Sequence, residues 1–141
     1  MKILVDTSVW SLALRKKTLT EEESDIVKEL KELILDLRVI MTGPVRQELL
    51  SGISDPATYR NLRDKLKAFD NLPLKTEDYE KAAEIYNTCR KKGIQGSHID
   101  FLICAAAINN ELSIFTTDKD FEQYQRHIHI KLHTVPDKTG K

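Results

Sequence analysis

Short β-type runs alternate with segments of helical period along the whole chain, and this alternation constrains the fold more than any other feature. Lys2 to Val5 is an apolar run stopped by Asp6 and Thr7, as a buried strand closed by a turn would be. Val39-Ile40-Met41 and Leu112-Ser113-Ile114-Phe115 repeat the pattern. Leu72-Pro73-Leu74 is a weaker strand, because Pro73 has no N–H for a ladder. Ile128 to Leu132 alternates and fits an edge strand. Between these runs lie helices. Thr7-Ser8 opens a short one carrying Val9, Trp10, Leu12 and Leu14. Thr20 and Glu23 form a capping box for the next, whose Ile26, Val27, Leu30, Leu33, Ile34 and Leu37 share a face. Gly43-Pro44 starts a helix that ends near Gly52, and Asp55-Pro56 starts another that runs to about Phe69. Thr76 caps a helix closed by Lys91-Lys92-Gly93. Ser97 to Asp100 opens a helix that is apolar nearly all round, as a fully buried helix is, and Asp118 to Tyr124 forms a last short helix or turn. Parallel strands need crossovers and these helices supply them, so the pattern predicts an α/β layer fold with a mostly parallel sheet.

At 141 residues the chain is the size of one domain and can build a core without a disulfide frame or structural metal. Residues 1–135 are read as that domain and 136–141 as a short frayed tail. Lys+Arg and Asp+Glu both number 22, so the net charge is zero, which excludes a strongly basic DNA-coating protein but not a local basic patch. No apolar stretch reaches the length of a membrane span, and Asp6 interrupts the opening run too early for a secretion signal. With two cysteines, Cys89 and Cys104, the chain reads as cytoplasmic and reduced.

The acids sit where chemistry is expected. Ligands of open α/β sheets bind beyond the carboxyl ends of the strands. Asp6 follows the first strand directly, and Asp118 lies three positions after Phe115, with Asp120 two further on. Asp100 heads the most apolar helix, where a carboxylate needs a partner or a cation. Glu48 shares a helical stripe with Val45, Leu49 and Gly52. Each acid has an ordinary explanation as well: Asp6 as a turn or cap residue, Asp100 and Asp120 as ends of capping boxes, Glu48 as a first-turn acid. Together, carboxylates from separate segments that meet at one edge cannot all stay ionised without a counter-charge. Mg²⁺ or Mn²⁺ supplies one, since hard cations take oxygen ligands and leave positions for water and phosphate oxygens. Phosphodiester hydrolysis is the reaction class that fits.

Four segments, Ile3 to Trp10, Val45 to Leu49, Asp100 to Ala106 and Ile114 to Phe121, occur in the order found in PIN-domain nucleases, with Asp100 and Asp118 18 positions apart. The chain resembles that family, in particular the VapC-type toxins of toxin–antitoxin pairs. The resemblance implies a compact α/β/α sandwich and a Mg²⁺- or Mn²⁺-dependent endoribonuclease. It implies catalytic acids at Asp6, Glu48, Asp100 and Asp118, with Asp6, Asp100 and Asp118 on the metal. It also implies support from Thr116, Asp120 and Ser8. A cognate antitoxin that plugs the acidic pocket, a homodimer, and a complex that represses its own operon are further implications. A free-standing PIN nuclease in RNA processing and a PIN-like binding module without catalysis are the alternatives. A phosphoacceptor domain would need paired acids after the first strand, where only Asp6 stands.

RNA needs cations beside an acidic site. Arg15, Lys16 and Arg46 are candidates for phosphate contacts, as are the basic clusters of residues 60–67 and 90–92; each also fits a solvated helix face. His98 could serve as a base or simply complete a loop. His127, His129 and His133 would share a face if their strand were regular, which makes a zinc site conceivable. Trp10, Leu12 and Leu14 pack in the core or bind a partner helix.

Overall fold

The computed structural model describes residues 1–136. Of the expected tail, residues 137–141 lie outside the described residues. The strands are β1 (Ile3–Val5), β2 (Val39–Ile40), β3 (Ser113–Phe115) and β4 (Lys131–Leu132). The helices are α1 (Thr7–Leu14), α2 (Glu21–Leu35), α3 (Gly43–Leu50), α4 (Pro56–Leu66), α5 (Thr76–Lys91), α6 (His98–Asn109) and α7 (Asp120–Gln125). The strands form one sheet in the order β2-β1-β3-β4, and every pairing is parallel. Ile3 aligns with Val39 on one side and Ser113 on the other. All six residues of β1 and β3 are buried. Side chains alternate between faces along a strand, so both faces of the sheet centre are covered by helices, as parallel sheets require. The expected three-layer α/β/α sandwich is the fold observed.

Local chemistry explains most element ends. Thr20 Oγ1 accepts from Glu23 N at 3.1 Å, while Glu23 Oε1 accepts from Thr20 N at 3.0 Å. This is the predicted capping box of α2. Asp55 Oδ2 caps α4 by accepting from Thr58 N at 2.9 Å. Helix α5 begins differently from expectation: Lys75, not Thr76, is the cap position. Its N–H donates to Asp78 Oδ2 at 2.9 Å, and Asn109 Nδ2 donates to Asp78 Oδ1 at 2.8 Å. The buried Asp78 carboxylate therefore ties the start of α5 to the end of α6. Helix α6 carries six buried residues, Phe101, Ile103, Cys104 and Ala105–Ala107, in line with its apolar sequence. Burial pushes the Cys104 and Cys89 thiols up, so both stay protonated.

Three helices end in the same way. Ile94 N reaches Cys89 O while Gly93 N reaches Arg90 O, the two bonds of a Schellman turn, with Gly93 at φ 74°. Leu37 (φ 57°) and Glu111 (φ 55°) hold the equivalent positions after α2 and α6. These turns aim the chain into β2 and β3.

The periphery departs from the sequence reading. The expected strand at Leu72-Pro73-Leu74 reduces to a single parallel bridge between Met41 and Asn71. Leu72 N donates to Met41 O at 2.8 Å, and Pro73 has no N–H to continue the ladder. The edge strand at residues 128–132 shrinks to Lys131–Leu132. His127 and His129 are exposed in the preceding turn and do not line up with His133. His133 Nε2 instead lies 2.5 Å from Glu29 Oε2 of α2. Trp10 is buried and meets Phe69 edge-on at 5.0 Å, which gives it a core role. Among the described residues no helix is long and apolar enough to cross a membrane.

Candidate active site

The carboxyl ends of β1 and β3 lie side by side, and the residues that follow them form the site. Asp6 N still donates to Phe115 O at 2.9 Å, extending the ladder by one residue. The Asp6 main-chain oxygen then accepts from Val9 N at 3.1 Å as α1 begins. Its side chain takes no part in capping. Instead Asp6 Oδ2 accepts from Ser8 Oγ at 2.9 Å and from Thr116 Oγ1 at 2.8 Å. Asp6 is only 5% exposed, and two hydroxyl donors meet the need of a carboxylate so buried.

The same hydroxyls organise the turn after β3. Thr116 Oγ1 accepts from Asp118 N, and Ser8 Oγ accepts from Thr117 N, both at 3.0 Å. Asp118 Oδ1 accepts from Asp120 N at 2.9 Å. The predicted Thr117–Asp120 capping box does not form, because the Asp118 carboxylate closes the turn that starts α7. That turn brings the Asp120 side chain back toward Asp118.

Asp100 arrives from the first turn of α6, whose start is fixed by Ser97 Oγ accepting from Asp100 N at 3.0 Å. Asp100 Oδ2 accepts from the buried Tyr124 hydroxyl of α7 at 2.8 Å. Asp100, Asp118 and Asp120 each offer a carboxylate oxygen, and these oxygens all lie within 4.8 Å of one another. Burial raises the Asp100 carboxyl above its ordinary range, and the charges of Asp6 and Asp118 raise it further against the lowering bonds from Tyr124 and Ser97. Three converging hard oxygen donors with a shortage of positive charge suit a Mg²⁺- or Mn²⁺-sized cation. Beside the site a cleft of about 680 Å³ runs along Thr116–Lys119 past Glu122 and Gln125 to Glu22 and Asp25 of α2.

The other predicted residues take separate places. Glu48 sits late in α3 rather than in its first turn, is exposed, and accepts from Thr7 Oγ1 at 2.7 Å. That bond ties it to the residue beside Asp6, outside the three-acid group. The Arg46 guanidinium is engaged by Asn71 Oδ1 at 2.9 Å, by Leu66 O at 3.0 Å and by Phe69 O. Any phosphate contact would compete with these bonds. Lys16 Nζ pairs with Glu23 at 2.7 Å. Arg15 is exposed at the end of α1. His98 stacks on Tyr86 at 5.1 Å. The sequence reading passed over Tyr124. Its only signal was the spacing of Phe121 and Tyr124, which gives α7 one aromatic face with a polar tip.

Comparison with known proteins identifies the family and the fold. The PIN domain family model matches residues 3–127. Ribonuclease VapC11 of Mycobacterium tuberculosis is 31% identical over 128 residues, covering 88% of this chain and 92% of that protein. VapC ribonuclease Mb1587 of Mycobacterium bovis matches to the same extent, 31% over 128 residues. Among solved structures, FitAcB from Neisseria gonorrhoeae has a TM-score of 0.75 at 22% identity, covering 94% of this chain and 97% of that one. VapBC2 from Rickettsia felis, bound to a DNA fragment from its promoter, has a TM-score of 0.75 at 16% identity, covering 94% and 98%. These structures share the fold, and the family model and the curated relatives establish that the chain belongs to the PIN-domain family, in its VapC branch.

Proposed function

We propose that this protein is a Mg²⁺- or Mn²⁺-dependent endoribonuclease and the toxin of a toxin–antitoxin pair. The observation that carries the reading is the meeting of Asp100, Asp118 and Asp120 beside the buried Asp6. The relatives named as ribonucleases support the RNA substrate, and the likeness to toxin–antitoxin complexes supports an antitoxin partner. Asp100, Asp118 and Asp120 would hold the cation together with the neighbouring Asp6. When bound, it would neutralise the crowded acids and supply Lewis-acid activation of a water and a phosphate oxygen. Ser8 and Thr116 fix Asp6 in rotation by donating to its Oδ2. Thr7 holds Glu48 at the rim, where an exposed carboxylate can accept a proton from attacking water. The water oxygen forms the new bond to phosphorus, the bond to the leaving ribose oxygen breaks, and that oxygen takes its proton from solvent water. Of the three cations expected to meet a phosphate, exposed Arg15 is the one left, since Lys16 and Arg46 are already paired. The working unit is proposed to be a homodimer.

RNA cleavage with added Mg²⁺ or Mn²⁺ tests the reading. Wild type is expected to cut, and Asp6→Asn and Asp100→Asn to lose roughly 10²-fold or more in rate, the scale of a lost catalytic group. Equal cleavage by all three proteins refutes it. Co-expression with the adjacent open reading frame tests the partner: neither a complex nor restored growth would favour a free-standing enzyme.

A further inference from the structure

We propose that Tyr124 is a positioning residue for the metal site: its buried hydroxyl occupies Asp100 Oδ2 and fixes the rotation of that carboxylate, so that the acids meet the cation as a preformed set. The proposal rests on Asp100 being a metal ligand, as read above. A carboxylate turns easily about its last torsion. Ser97 holds the Asp100 main chain through its N–H and also bonds the carboxyl from within the same helix start. The Tyr124 O–H···Oδ2 bond at 2.8 Å comes from a different helix and fixes Oδ2, so it completes the setting of the side-chain plane.

The phenol itself has little freedom. Tyr124 is fully buried. Its ring lies against Phe101 of α6 at 5.1 Å and Phe121 of α7 at 5.2 Å. The loop before α6 closes over the hydroxyl at Gly96. A Cβ there would lie 2.6 Å from the Tyr124 oxygen and 2.5 Å from Phe101 Cζ. Even a methyl group at residue 96 would push the phenol off Asp100. Three segments, the loop, α6 and α7, thus converge on one hydrogen bond to one carboxylate. A tyrosine serving the core alone would need only some acceptor; this one takes an acid that faces two others.

The test is direct Mn²⁺ titration of the full chain by electron paramagnetic resonance, with a thermal melt of each metal-free protein. Tyr124→Phe keeps the ring and removes only the hydroxyl. It is expected to raise the Mn²⁺ dissociation constant by about 10-fold, the scale for losing the partner of a metal ligand. Gly96→Ala, which retains every ligand oxygen, is expected to weaken Mn²⁺ in the same direction. Affinities within about twofold of wild type in both variants overturn the proposal whatever their melting temperatures, since a purely structural tyrosine would move the melt and not the affinity. Asp100→Asn separates the two readings. If it binds Mn²⁺ like wild type, the metal centre itself is refuted. If it loses Mn²⁺ while Tyr124→Phe and Gly96→Ala do not, only the role of Tyr124 falls.

Discussion

Removing the charge of Asp100 should stabilise the metal-free protein. Its carboxylate oxygen lies within 4.8 Å of those of Asp118 and Asp120. At about that distance two unit charges repel by roughly 1 kcal/mol in water and about 3.5 kcal/mol at an effective dielectric constant near 20. Asp100 is only half-buried and Asp120 is exposed, so the lower end applies, and Asp100→Asn should gain about 1–2 kcal/mol. For a chain of this size that is a rise of roughly 2–8 °C in Tm. The asparagine oxygen can still accept from Tyr124, so little packing is lost. The pH dependence has a defined sign. The folded carboxyl titrates above its ordinary value of 3.8, so ionised Asp100 costs stability at neutral pH. That cost fades as pH falls through the raised value and vanishes below the unfolded one. The difference between variant and wild type should therefore be largest near pH 7 and close toward pH 3.8. Mn²⁺ should reverse the order, because only the wild type gains strongly from binding. Circular dichroism melts in EDTA and in Mn²⁺ at several pH values would measure this. A variant that melts below wild type in EDTA at pH 7 would refute the repulsion.

Other substitutions have separate outcomes. Thr116→Val removes a donor to Asp6 and the acceptor for Asp118 N; a loss of about 1.5–3 kcal/mol in stability should accompany slower RNA cleavage. Arg46→Ala strips its partners from the junction of α3 and α4 and should cost about 2–3 kcal/mol while leaving RNA affinity in filter binding unchanged; weaker binding with an unchanged melt would assign Arg46 to substrate instead. Glu111→Gly relieves a left-handed residue at φ 55° and should raise stability by about 0.5–1 kcal/mol in a urea titration.

The sheet centre was legible because β1 and β3 are buried on both faces, and such strands read as continuous apolar runs. The acids after them were legible for the same reason: a charge directly behind a buried run marks a strand end. What escaped depended on single hydrogen bonds. Asp120 was expected to play a supporting part, yet the turn closed by Asp118 Oδ1 brings it into the acid group. The partner of Asp100 was invisible, because no pattern links Tyr124 to a residue 24 positions earlier. The weak third strand failed at Pro73, where the lost donor outweighed the apolar neighbours. The histidines share no face because β4 begins only at Lys131.

The pairing of Ile3 with Ser113 has a consequence for the life of the molecule. A polypeptide cut short before residue 113 leaves β1 exposed along one side, and Thr116, Asp118 and Asp120 have not yet been made. A product that stops before residue 113 therefore cannot assemble the acid group beside β1.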